Sequence, residues 1–267
     1  MTVSLLTLTE HFESLWPSLG AEDWDRPGLT SGNPKQIITK VLLTVDVTSQ
    51  VLQEAKAKGC ELVVSHHPIL LKGVNFLAEN QLKGELISFA IKNSIALFSA
   101  HTNADIVVNG VSDVLAREIG IKGAIPLVAT GPLVGHGRIG HLESPVKLSE
   151  LARIVSLVLP KTQAPVRVAG DLETVIQKVA VVGGAGDSFI EDAKRLGADC
   201  LITSDLRHHV SLDAVSDPSF PLCLIDVSHY AAESLWLLPT ADSLRKQLPT
   251  VEFFVSGIAT DPWTMTI

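Results

Sequence analysis

Three short apolar runs in this chain lead directly into metal-ligating residue types. The run 61–64 precedes Ser65-His66-His67-Pro68, the run 95–98 precedes His101-Thr102-Asn103-Ala104-Asp105, and the run 222–225 precedes His229-Tyr230-Ala231-Ala232-Glu233. Runs of this length and composition read as buried strands. In open α/β sheets, ligands gather outside the carboxyl ends of the strands. Two of the three segments also share the spacing His-x-x-x-carboxylate. Any fold for this chain must therefore place four imidazoles and two carboxylates at strand ends, which reads as a metal site holding two ions.

The rest of the chain fits that frame. Strands are expected at 37–45, 178–182, 199–203 and 251–255, and a bulged or exposed strand at 134–142, where Gly135, Gly137 and Gly140 fall. Helices are expected at 7–16, with Thr7 as cap and Glu10 as its capping-box partner, and at 51–58, capped by Thr48 and ended by Gly59. Others follow at 82–92, 112–119 before Gly120, and 148–159. Pro239 should split the helical run that begins at Tyr230 into two pieces. The acidic turn 21–29 carries Trp24, read as a packing residue. Strands alternating with helices on this scale imply α/β architecture with largely parallel sheets.

The two halves also match in register. Lys40, Ala55, Lys56 and Gly59 meet Lys178, Ala193, Lys194 and Gly197 at an offset of 138 (178 − 40), which also places His67 on Asp205. His101 and Asp105 meet His229 and Glu233 at an offset of 128 (229 − 101). This predicts two pseudo-repeated α/β lobes, one about 1–125 and the other about 166–267, joined by a connection at about 126–165. Each lobe would supply a histidine and a carboxylate to a metal site in the cleft between them.

Mixed imidazole and carboxylate donors suit two divalent ions, Zn, Fe or Mn. A carboxylate such as Glu233 can bridge two ions, and a bridging hydroxide between them is a nucleophile at neutral pH. Asp205, His209 and Asp46 are candidates for orienting ligands or moving protons. His11, His136 and His141 read as ordinary surface or hydrogen-bonded residues. The Gly183-Gly184-Ala185-Gly186 loop matches neither the Walker A pattern nor the dinucleotide fingerprint; it reads as a tight turn, the alternative being backbone N–H groups that hold a substrate phosphate near the metals.

Composition excludes several classes. A net charge of −8 argues against nucleic acid as main partner. No apolar run approaches the roughly 18 residues of a membrane span, and residues 1–10 lack a basic leader region. Three cysteines without a Cys-x-x-Cys spacing point to a reduced, cytoplasmic compartment.

At these residues the chain resembles the dinuclear-metal-centre hexameric proteins, the GTP cyclohydrolase 1 type 2 homologues. The matching pieces are Trp24-Asp25 with Gly28-Leu29, Ser65-His66-His67-Pro68, His101-Thr102-Asn103 with Asp105, Gly137-Arg138-Ile139-Gly140, Gly184-Ala185-Gly186, Ser204-Asp205 with His208-His209, and His229-Tyr230 with Glu233. The resemblance implies a toroidal homohexamer with metal ligands His66, His67, Asp105, His229 and Glu233, and His101 outside the direct ligand set. It also implies the short form, without an inserted middle domain. Arg26-Pro27 departs from the family pattern, in which an Asn and a small apolar residue are usual. The implied function is a dinuclear-metal-dependent hydrolase with a small-molecule or nucleotide substrate. The alternative is a non-enzymatic metal-binding ring protein, a metal chaperone or regulatory scaffold.

Overall fold

The computed structural model describes residues 2–267. The chain forms two compact units: residues up to Ala104 together with Leu237–Thr260, and Asp105–Trp236 together with Asp261–Ile267.

In the first unit a short antiparallel pairing of Val3–Ser4 with Ile37–Ile38 comes before helix α1 (Leu5–Leu15). Its cap is Ser4, whose hydroxyl accepts from Thr7 N at 3.1 Å, so the helix starts earlier than the Thr7 cap expected from sequence. Ser4 wins because its extended backbone (φ −81°, ψ 158°) aims the hydroxyl back at the first turn. Strands β1 (Gly28–Ser31), β2 (Lys40–Thr44), β3 (Leu62–Ser65) and β4 (Ala96–Ser99) follow, with α2 (Ser49–Lys58) and α3 (Leu82–Lys92) as crossovers. β2, β3 and β4 pair in parallel and β1 joins β4 antiparallel. Their near-continuous Val/Leu runs are what strands covered on both faces require. Thr48 caps α2 and Gly59 ends it at φ +69°, as expected. After β4 the chain turns through the short helix α4 (Thr102–Asp105).

The second unit contains α5 (Val111–Ile119), β5 (Lys122–Ile125), β6 (Arg138–Lys147), α6 (Leu148–Val158), β7 (Arg167–Ala169), β8 (Val175–Ala185), α7 (Ile190–Arg195), β9 (Cys200–Ser204), α8 (His208–Ser216), β10 (Cys223–Val227) and α9 (His229–Ser234). Its sheet runs β7-β10-β9-β8-β6-β5. Only β8/β9 and β9/β10 are parallel, while β6 is antiparallel to both its neighbours and β7 is antiparallel to β10. This sheet is thus mixed where a largely parallel one was expected. β5 and β6 are joined through a small ribbon, Val128–Gly131 with Val134–His136, and such a connection reverses chain direction where a helical crossover would not. A register irregularity falls within the stretch 134–142, between Ile139 and His141 where β6 pairs with β5, and a second lies beyond it, between His141 and Val146 where β6 pairs with β8.

The chain then returns to the first unit with α10 (Leu237–Gln247) and β11 (Glu252–Val255). The helical break expected at Pro239 lies just before it, between Ser234 and Leu237. This leaves Pro239 in the first turn of α10, where its missing N–H is tolerated. β11 pairs in parallel with β2 and gives the first sheet the order β11-β2-β3-β4-β1.

The register match has a physical counterpart in each unit. Glu61 Oε2 accepts from the backbone N of Thr39 (3.1 Å) and Lys40 (2.8 Å), and Asp199 Oδ2 accepts from Gln177 (2.9 Å) and Lys178 (2.7 Å). Gly59 and Gly197 share φ +69°. All of these pairs lie 138 residues apart (199 − 61, 178 − 40). No helix among the described residues is long and apolar enough to cross a membrane.

Candidate metal-binding site

In the first unit the polar residues begin where β3 stops. The ladder continues one step past the strand, with His66 N donating to Thr44 O and His67 N to Val45 O. The Ser65 hydroxyl donates to His67 O at 2.7 Å and folds the chain over. Adjacent residues on a regular strand point to opposite faces, yet here the two rings lie 5.0 Å apart. His101, just beyond β4, places its ring 5.3 and 5.4 Å from those of His66 and His67. One ligand atom from each of the three lies within 4.8 Å of the others. The structure therefore gathers His101 with His66 and His67, although the resemblance leaves it outside the direct ligands. Asp105, half-buried, closes α4 four residues after His101.

Two of these rings are hydrogen-bonded through Nδ1, and the third sets its Nδ1 against a carboxylate. His66 Nδ1 meets Ala100 O at 2.8 Å, His67 Nδ1 meets Asp46 Oδ1 at 2.8 Å, and His101 Nδ1 lies 3.0 Å from Asp25 Oδ2. Asp46 is itself fixed by the Thr260 hydroxyl at 2.5 Å. Tying one ring nitrogen to a carboxylate or carbonyl sets the tautomer and aims the other nitrogen, as metal-binding histidines require. Burial on its own would raise the Asp25 pKa, but hydrogen bonds from His101 and Thr102 outweigh it and hold the carboxyl at about 2.

In the second unit, α9 starts immediately after β10, and the Ser228 hydroxyl caps it by accepting from Ala231 N at 3.1 Å. His229 and Glu233 are four residues apart on this helix and so share a face. His229 Nε2 is 2.8 Å from Glu233 Oε1, and His229 Nδ1 is 2.7 Å from Asp205 Oδ2. Burial lowers the proton affinity of His229, but the charges of Glu233 and Asp205 overcome it and push the pKa up to about 11. Two carboxylates thus flank one imidazole, a mixed donor set of the kind divalent ions take. Gly184 leaves room for the pair: at φ +79°, a Cβ there would stand 2.7 Å from Glu233 Oε1 and 3.3 Å from His229 Nε2.

Asp205 thus orients His229, from a left-handed backbone at φ +59°. His209 is elsewhere, exposed in the first turn of α8, with its ring 5.2 Å from that of His208. The tight turn expected at Gly183–Gly186 is not what forms: Gly183, Gly184 and Ala185 end strand β8, Gly186 leads into a single 3-10 turn, and Gly184 O accepts from the Thr203 hydroxyl at 2.9 Å. Arg138 is buried and spent on Asp113 and on the carbonyls of Gly135, Gly137 and Val107. Asp25 and Thr260 carry no local signal of their roles, because their partners His101 and Asp46 are remote along the chain. The only signal for Asp25 is membership in a matched piece.

Comparison with known proteins gives a consistent result. A "GTP cyclohydrolase 1 type 2 homolog" of Streptomyces coelicolor is 39% identical over 94% of this chain and 90% of its own length. One of Clostridium perfringens is 36% identical over 94% and 95%. A Bacillus cereus protein described as related to NIF3 has the same fold, with a TM-score of 0.91 at 23% identity over 99% of each chain. The family model for Duf34/NIF3 (NGG1p interacting factor 3) matches residues 3–262, so the chain belongs to the Duf34/NIF3 family.

Proposed function

We propose that the protein is a divalent-metal-dependent hydrolase with two ions of Zn, Fe or Mn held by His66, His67, Asp105, His229 and Glu233. The observation that carries this reading is the hydrogen bonding of three imidazoles, those of His66, His67 and His229, each through Nδ1 to a carboxylate or carbonyl oxygen, with His101 Nδ1 3.0 Å from a fourth such oxygen. Two-metal centres supply Lewis acidity and a water of lowered pKa. The chain's own contribution is to hold the donors: Asp46 and Asp205 orient His67 and His229, Asp25 orients His101, and Gly184 makes room for Glu233. The names of the relatives support a nucleotide as substrate. His209 is kept as a candidate proton carrier. We further propose a homohexameric ring working in the cytoplasm, to which the three free, buried thiols are suited.

Elemental analysis of native-purified protein tests the reading. About two transition metals per chain are expected, falling in both His67→Ala and Glu233→Gln, with nucleotide hydrolysis lost in Glu233→Gln. No metal above background after reconstitution would overturn the site. Full metal content with no turnover of any nucleotide would favour a metal-binding scaffold instead.

A further inference from the structure

Trp24 does not pack away, as its place in the sequence suggested; it is 59% exposed. The turn that carries it is nevertheless locked. Asp25 is 3% exposed. Its Oδ1 accepts from Arg26 N at 2.8 Å, and its Oδ2 accepts from Thr102 Oγ1 at 2.6 Å and Thr102 N at 3.2 Å. Asp25 N closes the turn on Glu22 O at 2.9 Å, and Glu22 N donates to Thr102 Oγ1 at 3.0 Å. An indole on a loose loop can fold onto apolar surface. This one is held outward by buried hydrogen bonds at its neighbour, and its ring centroid lies 5.7 Å from that of His101, at 76°. An indole held in solvent on a rigid turn, with an imidazole 5.7 Å away, offers a ring face to a ligand.

We propose that Trp24 is a stacking platform for a planar nitrogen heterocycle, so that the substrate of the candidate metal site carries such a ring. The inference rests on the metal-hydrolase reading only in calling the bound molecule a substrate. Stacked rings sit with centroids about 4.5–7 Å apart, and His101 already places one ring within that range of Trp24. Stacking accepts any base, because each has a π face. The turn is also poorly suited to phosphate. It carries Glu22, Asp23 and Asp25, and its one cation, Arg26, donates Nη1 to the carbonyl oxygens of Asp23 and Asp25. Recognition at this turn is therefore of the ring, with any phosphate held elsewhere.

Calorimetric titration of the full-length, metal-reconstituted protein with adenosine, guanosine and ribose 5-phosphate tests this, in wild type, Trp24→Phe and Trp24→Ala. Both nucleosides should bind wild type and Trp24→Phe, and bind Trp24→Ala roughly tenfold more weakly. Ribose 5-phosphate should titrate alike in all three, and metal content should be unchanged. Should Trp24→Ala fail to fold, Trp24→Leu replaces it, keeping apolar bulk without a ring. Nucleoside affinity that ignores Trp24, or no nucleoside binding at all, overturns the proposal. So does a variant that changes only the oligomer mass, since the indole would then be a subunit contact. Trp24-dependent nucleoside binding without metal-dependent turnover would leave the platform standing and sink the hydrolase. Turnover of a substrate lacking a heterocycle, unaffected in Trp24→Ala, would do the reverse.

Discussion

Asp25 decides how firmly His101 and the Trp24 turn are held, and it does so as a carboxylate. Its pKa falls from 3.8 to about 2 on folding, because the hydrogen bonds of His101 and Thr102 outweigh burial. A depressed carboxyl adds stability that is complete above the unfolded pKa and is lost as pH falls through the folded one. The contribution is about 2 kcal/mol at neutral pH, since one pKa unit is worth about 1.4 kcal/mol. Urea unfolding should therefore show Asp25→Asn about 2 kcal/mol less stable at pH 7, with the gap closing between pH 4 and pH 2. A gap that stays constant down to pH 2 would mean the carboxylate is not the stabilising form. At this scale the sequence shows donors better than their supports. His66, His67, His229 and Glu233 follow strands and can be picked out by position. Asp25 cannot be linked to His101 without the fold, because the two meet only when the acidic turn and the end of β4 are brought together.

Elements were legible wherever local chemistry decides them. Thr48 and Gly59 bracket α2 because a hydroxyl cap and a left-handed residue satisfy helix ends using nearby atoms. Strand direction was not legible, since apolar runs announce burial and say nothing of the neighbour. That is why the mixed pairing of β6 escaped the parallel expectation. The register match between the halves carries more than similarity of βα units. Glu61 and Asp199 each take two backbone N–H groups from a neighbouring strand, so the match extends from residue identity to local hydrogen bonding. Removing either side chain strands two donors, and each unsatisfied group costs about 1–3 kcal/mol when buried. Glu61→Ala and Asp199→Ala should each lower stability by about 1–3 kcal/mol in denaturant melts, these strand ends being only partly buried. A neutral result at one site and a loss at the other would show that the match is one of sequence alone.

For the whole molecule, chain order is not unit order. β11 comes last yet pairs with β2, and α10 packs with it in the first unit, where Arg245 donates to Phe253 O at 3.0 Å. Chain position alone groups this strand with the second half, because hydrophobic periodicity identifies a strand and is silent about its partner. The consequence can be tested with fragments. Residues 1–104 alone keep β1 to β4 but lose β11, whose Phe253 is 2% exposed. This uncovers the edge of β2, and an unprotected apolar edge promotes aggregation. Residues 105–236 keep all six strands of the second sheet and lose only the tail from Asp261 onward. Thermal melts followed by circular dichroism should therefore give a cooperative transition for 105–236. The 1–104 fragment should give none, and co-expression with 237–267 should restore its solubility. A cooperative, soluble 1–104 fragment would show that the late strand is an accessory and that the first unit folds from its own continuous stretch of chain.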